Sequence, residues 1–177
     1  MKNLKFIRKL FSGEEKNEEG DHLTLEKQDM IRGVLRLSEK TVKEVMVPRI
    51  DTAFIGLEYS TKELIETIDG RGFSRFPVYK DTIDNVVGIL YAKDLIKYLT
   101  SREDINIERI IRKPYFVPES KRLDSLLREM RRKRVHIAVA VDEYGGVSGV
   151  VCLEDIIEEI VGDIQDEFDN EREDILE

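Results

Sequence analysis

The sequence contains one short phrase twice, and this repetition constrains the fold more than any other feature. Gly88 precedes Asp94 by six residues in "VVGILYAKDLIKYL", and Gly149 precedes Asp155 by six residues in "VSGVVCLEDIIEEI". The two copies lie 61 residues apart, and in each an apolar run at helical spacing follows the aspartate. A unit of this length, present twice, indicates an internal pair rather than an array of short repeats.

Matched segments extend the repeat upstream. "FPVY" (76–79) matches "IAVA" (137–140) at the same offset of 61, whereas "TVKEVM" (41–46) resembles "NIERII" (106–111) at an offset of 65. The larger offset indicates that the second copy has lost a few residues between these segments. Each unit therefore spans about sixty residues.

Both units show the same order of patterns, β-α-β-β-α, which predicts an α/β fold of the α+β type. The apolar and turn residues predict these elements in the two units: strands 51–55 and 115–117, helices 61–69 and 121–132, strands 76–79 with 86–90 and 137–141 with 147–151, and closing helices from Ala92 and Leu153. We expect a three-stranded sheet covered by helices in each unit. Neither unit buries its apolar faces well alone, so we expect the two to pack as a pseudo-twofold pair.

The ends of the chain differ from the middle and set the predicted domain boundaries. At the start of the chain, apolar residues at helical spacing are interspersed with basic residues. This pattern is compatible with a frayed terminus or with a short helix on an anionic surface, and the frayed terminus is the simpler interpretation. The predicted organisation is a flexible segment at 1–22, a lead-in helix at 23–40, the first repeat at 41–103, the second repeat at 104–164 and an acidic tail at 165–177.

Composition excludes several classes of protein. The formal net charge is −8, which argues against a nucleic-acid binder despite the basic run "REMRRKRVH" at 128–136. No apolar run reaches the roughly 20 residues needed to span a bilayer, and the start does not read as a signal peptide. The single Cys152 excludes an internal disulfide and a multi-cysteine metal site. No catalytic triad, metal-ligand cluster or P-loop is visible, so we do not expect an enzyme.

The repeated glycine and aspartate have a mechanical interpretation. The glycine allows close backbone approach near the end of a strand, and the following helix begins with free N–H groups that favour an anionic phosphate. Asp94 or Asp155 in that first turn can accept hydrogen bonds from ribose hydroxyls. The alternative for both aspartates is helix capping without any ligand. Arg75 in "FSRFPVY" is the best phosphate-binding candidate, and the offset of 61 makes His136 its counterpart.

The linked strings "EVMVPR", "SRFPVY", "VPESKR" and "VDEYGGVSGVVCLEDIIEEIVGDI" closely resemble the paired CBS domains of the CorC/hemolysin C family, over roughly residues 38–167. The resemblance implies a regulatory module (a Bateman module) that binds an adenine nucleotide and is linked to magnesium and cobalt efflux. ATP with magnesium is the favoured ligand, with AMP and ADP as alternatives. It further implies a homodimer, a membrane transporter as a candidate partner, and a cytoplasmic location, free or at the inner face of the membrane. Members commonly carry a membrane domain and a C-terminal domain, and neither pattern is present here, so we do not expect transport by this polypeptide itself.

By the same resemblance, each nucleotide site is built from both repeats. The implied sites are a stronger one at Val47, Arg75, Cys152 and Asp155, and a weaker one at Tyr91, Asp94 and His136. The family pattern usually places a hydroxyl residue three positions before the aspartate, and this sequence has Tyr91 and Cys152 there. Val47 is likewise apolar where some relatives carry a hydroxyl.

Two other functions compete with nucleotide sensing. The missing hydroxyls favour a dimerisation and docking scaffold that binds no ligand. The hemolysin label of the family suggests a secreted pore-forming protein, but no signal peptide or membrane-spanning run supports it.

Overall fold

The computed structural model describes residues 25–96, 98 and 105–162. The flexible segment predicted at 1–22 and the acidic tail predicted at 165–177 lie outside these residues. In chain order, the helices are α1 (Leu25–Leu37), α2 (Thr61–Arg71), α3 (Ile107–Ile110), α4 (Leu123–Lys133) and α5 (Leu153–Val161). The strands are β1 (Val47–Pro48), β2 (Ile55–Gly56), β3 (Arg75–Lys80), β4 (Thr82–Tyr91), β5 (Phe116–Pro118), β6 (Ile137–Val141) and β7 (Val147–Cys152).

The strands form two sheets, and the predicted pair of β-α-β-β-α units is confirmed. The first sheet has the order β2-β3-β4, and the second has the order β1-β7-β6-β5. In each sheet, the strand before the helix pairs parallel to the first hairpin strand, and the hairpin is antiparallel. The expectation of three strands per sheet is wrong for the second sheet, because β1 of the first repeat adds to its edge.

Each repeat lends a piece of chain to the sheet of the other. Val47 pairs with Val150 in the second sheet, and Arg112 forms an isolated bridge with Ile89 in the first sheet. Ile89 and Val150 are 61 residues apart, whereas Val47 and Arg112 are 65 apart. The exchange is therefore pseudo-symmetric, and Arg112 occupies the position in the second repeat that Val47 occupies in the first.

The strand register corrects one sequence-based equivalence. Val78 pairs with Gly88, but Ala140 pairs with Gly149, so the hairpin of the first repeat is one residue longer. The offset is consequently 62 before the hairpin and 61 after it, and the counterpart of Arg75 is Ile137. His136 corresponds instead to Ser74: the carbonyl oxygens of these two residues accept equivalent backbone bonds, from Leu153 at 2.9 Å and Ala92 at 3.0 Å.

The repeated glycines serve the close approach that the sequence predicts. A Cβ atom on Gly149 would lie 2.2 Å from the carbonyl oxygen of Val47. A Cβ atom on Gly88 would lie 2.6 Å from the side chain of Ile111, the residue before Arg112. In both repeats, the glycine makes room for the chain that crosses over from the other unit.

Each repeat has its own buried core, and a third cluster joins the two repeats. Phe76 and Leu64 lie in the first core, and Leu126 and Met130 lie in the second. The joining cluster contains Val86, Ile89, Ile137, Val139, Val147 and Val150, with Val47, Phe54, Tyr91 and Cys152 packed against it. Since apolar burial contributes about 25 cal/mol per Å², this cluster holds the two sheets together as one body.

Helix α1 corresponds to the predicted lead-in helix and lies against α5. A Cβ atom on Gly33 would lie 2.6 Å from the carbonyl oxygen of Ile160, so the two backbones touch at this point. Just beyond α1, Lys40 Nζ pairs with Glu159 Oε2 at 2.5 Å. Among the described residues, no helix has both the length and the apolar character needed to cross a membrane.

Candidate functional site

The four residues predicted for the stronger site line one cavity of about 340 Å³ between the repeats. Val47 lies in β1, Arg75 begins β3, Cys152 ends β7, and Asp155 lies in the first turn of α5. Because β1 crosses into the second sheet, Val47 and Arg75 of the first repeat lie near Cys152 and Asp155 of the second. The cavity volume lies within the range of small-molecule sites.

The loop after β1 supplies a further wall of this cavity, which sequence analysis did not identify. Asp51, Thr52 and Ala53 line it, and Thr52 Oγ1 donates to the carbonyl oxygen of Pro48 at 2.9 Å. From Val47 to Ile55 the first repeat is three residues longer than the second, in which Arg112 and Val117 are the counterparts. The offset between the repeats is 65 at Val47 and 62 at Ile55, and this change indicates a three-residue insertion in the first repeat.

Asp155 caps helix α5, as the alternative interpretation of the sequence proposed. Its Oδ2 accepts a hydrogen bond from the Cys152 backbone N–H at 2.7 Å, and its own N–H donates to the Cys152 side chain. Among the described residues, no donor reaches its other oxygen. Burial raises the pKa of Asp155, and the bond from Cys152 opposes this shift only in part. A carboxylate that both caps a helix and remains half-buried in a cavity can accept further donors from a ligand.

The Cys152 thiol also lies inside the cavity wall. Burial, reinforced by the charges of Asp155 and Glu154, raises its pKa to about 12. The thiol therefore stays protonated at neutral pH and acts as a small, weakly polar surface.

Arg75 carries the clearest indication of a ligand. Its Nη1 donates to Glu154 Oε1 at 3.0 Å, and its guanidinium lies 5.6 Å from the Tyr91 ring. Its Nε is buried and has no hydrogen-bond partner among the described residues. An unsatisfied buried donor costs about 1–3 kcal/mol, and more on a charged group, so an oxyanion that accepted a hydrogen bond from this nitrogen would remove that cost.

The donor set fits an adenine nucleotide. Val47, Ile137 and Val150 provide apolar wall for a purine ring, Asp155 an acceptor for ribose hydroxyls, and Arg75 a partner for phosphate. In the first turn of α5, the N–H groups of Leu153 and Asp155 are already bound, to the carbonyl oxygen of His136 and to the Cys152 side chain. The chain's own residues therefore offer one group for each part of such a ligand.

The weaker predicted site is filled by the chain itself. Arg112 Nη2 donates to Asp94 Oδ2 at 2.8 Å, and the guanidinium lies 4.0 Å from the centre of the Tyr91 ring. Tyr91 and Asp94 are thus brought together, but around Arg112. Residues 92–95 form a 3-10 helix, and Ile96 and Tyr98 beyond them are α-helical, so Asp94 lies in a 3-10 turn at the start of the predicted closing helix.

His136 does not join Tyr91 and Asp94. Its Nδ1 lies 4.0 Å from Glu154 Oε1, the same oxygen that Arg75 binds. Among the described residues, no hydrogen bond or ion pair connects it to the other two predicted members of the weaker site. Its placement beside Glu154 follows from the backbone bond between its carbonyl oxygen and the N–H of Leu153, the residue before Glu154.

A larger groove of about 750 Å³ shares Thr52 and Ala53 with the cavity. It is open to solvent and contains none of the predicted site residues; Arg49, one of its two arginines, is already paired with Asp84 at 2.6 Å. The smaller cavity is the better candidate because its polar groups converge on one point. In the described part of the chain, no cluster of three or more His, Cys, Asp or Glu side chains could hold a metal ion.

The fold and the cavity define a tandem CBS-domain module. The sequence profile of the CBS domain matches residues 42–101 and 104–162. Hemolysin C of Brachyspira hyodysenteriae is 44% identical over 173 residues, which cover 97% of this chain and 64% of that protein. The magnesium and cobalt efflux protein CorC of Vibrio cholerae serotype O1 is 43% identical over 179 residues, covering 94% of this chain and 62% of that protein.

A solved structure described as the CBS domain of the bacterial CNNM/CorC family Mg²⁺ transporter in complex with ATP is 44% identical. Its TM-score is 0.74, and the match covers 78% of this chain and 99% of that chain. This chain belongs to the CorC/hemolysin C family of CBS-domain proteins. It spans a little under two thirds of the length of the two curated relatives.

Proposed function

We propose that this chain is a regulatory CBS-pair module that binds one adenine nucleotide between its repeats, with ATP and magnesium as the favoured ligand and ADP or AMP as alternatives. The observation that carries the proposal is the buried, unpartnered Nε of Arg75 in a cavity that also contains Asp155. The ATP-bound relative supports the choice of ligand.

In this proposal, the two repeats contribute different parts of the recognition. Val47 and Arg75 come from the first repeat, and Cys152 and Asp155 come from the second. A ligand that contacts all four favours one relative arrangement of the repeats, and the chain can report occupancy in that way. The role is regulatory rather than catalytic.

The partner and the location follow from the family. We propose that the module modulates a membrane transporter of magnesium or cobalt, as the name of the Vibrio cholerae relative suggests, and acts at the cytoplasmic face of the membrane. We further propose a homodimer. The support is a set of exposed apolar side chains on α1 and α5, namely Met30, Val34, Ile157 and Val161. Sedimentation velocity with and without ATP tests the oligomeric state.

Calorimetric titration with ATP, ADP and AMP, with and without magnesium, tests the ligand. Asp155→Asn is the informative variant because asparagine can keep the cap on α5 while it removes the charge that faces the cavity. Asp124→Asn is the matched control, since Asp124 lies in the first turn of α4 and pairs with Arg128 at 2.8 Å. Saturable binding that is weakened only by Asp155→Asn supports the proposal, and folded protein that binds none of the three nucleotides contradicts it.

A ligand-free scaffold is the second candidate, favoured by the self-filled weaker site and by the apolar Val47. In that case Asp155 acts only as a cap. The same titration separates the two functions, because a scaffold gives no heat of binding and yet retains its oligomeric state.

A further inference from the structure

The ion pair between Arg75 and Glu154 connects the two repeats across the mouth of the cavity. Arg75 Nη1 and Glu154 Oε1 are 3.0 Å apart, and both residues line the cavity. The arginine side chain is 20% exposed, whereas the glutamate side chain is 57% exposed. A solvated carboxylate therefore holds a largely buried guanidinium.

This ion pair satisfies the arginine poorly. The carboxylate takes one nitrogen, Nη1, and leaves the buried Nε without an acceptor. A phosphate group has enough oxygens to accept from two guanidinium nitrogens at once. Solvent does not reach Nε in the present side-chain conformation, so a ligand can use it only if the guanidinium turns. Such a turn moves Nη1 away from Glu154.

A second basic side chain, His136, lies near the carboxylate of Glu154. His136 Nδ1 lies 4.0 Å from the same oxygen, Glu154 Oε1. Two other carboxylates, Asp51 and Asp155, line the same cavity, and the charge of Asp155 repels that of Glu154. His136 is therefore the side chain placed to contact Glu154 when Arg75 turns toward a phosphate.

We propose that Glu154 is a built-in counter-anion of Arg75 that a ligand phosphate displaces, and that His136 then receives its carboxylate. This inference rests on the proposed function for the identity of the ligand. Glu154 is a specificity-determining residue in this scheme: its displacement is required by a phosphate and not by an uncharged nucleoside.

Affinity measurements with AMP and adenosine test the displacement. Glu154→Gln removes the competing charge and should tighten AMP binding about three- to tenfold, while adenosine binding stays unchanged. Glu158→Gln is the matched control, because it makes the same change in net charge on an exposed position of the same helix. If Glu154→Gln weakens both ligands, or leaves both unchanged, Glu154 does not compete with phosphate and the inference is wrong.

Affinity measurements on a His136 variant test its role. If His136 receives the displaced carboxylate, His136→Gln should weaken AMP binding and leave adenosine binding unchanged. Equal AMP affinity of the variant and the wild type excludes His136 as the receiving group.

Pyrophosphate separates failure of this inference from failure of the proposed function. The Nε–Hε NMR signal of Arg75 should shift on addition of pyrophosphate, at lower concentration in Glu154→Gln than in the wild type. This result with no nucleotide binding would retain the displacement and reject the nucleotide. No shift of the Arg75 signal in either protein would overturn the displacement itself.

Discussion

Arg112 covers the ring of Tyr91 at 4.0 Å and simultaneously donates to Asp94 at 2.8 Å. In the first repeat, the corresponding position is Val47, whose short apolar side chain leaves a cavity beside Asp155. Arginine in place of valine, together with Tyr91 in place of Cys152, thus distinguishes the site that the chain fills with its own guanidinium from the open one. The Arg112 side chain is 52% exposed, so its contact with the aromatic face contributes about 0.5–1 kcal/mol.

We therefore expect one nucleotide per chain in the wild-type protein. Arg112→Ala removes the guanidinium and should expose a second, weaker site, so that the stoichiometry measured by calorimetry rises from one toward two. Arg109→Ala, at an exposed position of α3, is the control and should leave the stoichiometry at one. A stoichiometry of two in the wild type would contradict the self-filled site.

Substitution of Gly149 should separate the repeats locally. A Cβ atom at this position would lie 2.2 Å from the carbonyl oxygen of Val47, so Gly149→Ala must push β1 away from β7. Overpacking of this kind costs about 1–3 kcal/mol, and we expect a loss of that size in the free energy of unfolding by urea. The displacement of Val47 should also weaken nucleotide binding.

Gly70 provides the opposite case for comparison. It lies in α2, and a Cβ atom there meets no atom within 4 Å. Gly70→Ala should raise the free energy of unfolding by about 0.5–1 kcal/mol because alanine favours the helix. Equal effects of the two substitutions would show that backbone contact at Gly149 is not the cause.

Replacement of Asp155 by asparagine should stabilise the protein at neutral pH. Burial raises the pKa of Asp155, so its contribution to stability is present below the unfolded-state pKa and is lost as pH rises through the folded-state pKa. The asparagine side chain is neutral throughout, so the advantage of Asp155→Asn over the wild type should be largest at neutral pH. It should vanish at a pH below 3.8, the ordinary pKa of this group. Thermal unfolding at several pH values measures this difference.

Asp124→Asn should have the opposite sign at neutral pH. Although burial opposes the shift, hydrogen bonds from Arg128 and Ser125 lower the pKa of Asp124, so its contribution is present above the unfolded-state pKa and is lost in acid. If both variants destabilise the protein equally at neutral pH, the charge of Asp155 carries no cost.

Cys152 should react slowly with alkylating reagents in the folded protein. Burial raises its pKa to about 12, so the thiolate is scarce at pH 8, and we expect iodoacetamide to react on the order of a hundredfold more slowly than with the urea-unfolded chain. Mass spectrometry after timed quenching gives both rates. Similar rates in the folded and unfolded chain would place the thiol outside the cavity wall.

The sequence predicts most elements because these depend on local patterns, whereas the stronger site is implied by the family resemblance. Alternating apolar residues define the hairpins, and the duplicated glycine and aspartate define the strand ends and the turns that follow. The expected set of Val47, Arg75, Cys152 and Asp155 comes together in one cavity. The role of these residues in nucleotide binding stays a prediction until the titrations are made.

The weaker site shows what a constant offset cannot predict. A one-residue difference in the hairpin makes Ile137 the counterpart of Arg75, and only strand register reveals it. The weaker site is filled by Arg112, which lies before β5. At that point the offset between the repeats is 65 rather than 61. Glu154 was overlooked as a partner of Arg75 because the two residues are 79 positions apart and meet only after the repeats pack.

Because α1 contacts α5, a movement of α5 would displace the lead-in helix α1. The first turn of α5 lines the candidate cavity, and Gly33 touches the last turn of α5, so a tilt of α5 would be transmitted at that crossing point. From Gly33 back to Leu25 the helix extends about 12 Å, at 1.5 Å per residue. A tilt of about 10° would therefore move the start of α1 by roughly 2 Å, a displacement large enough to pull on whatever is attached there.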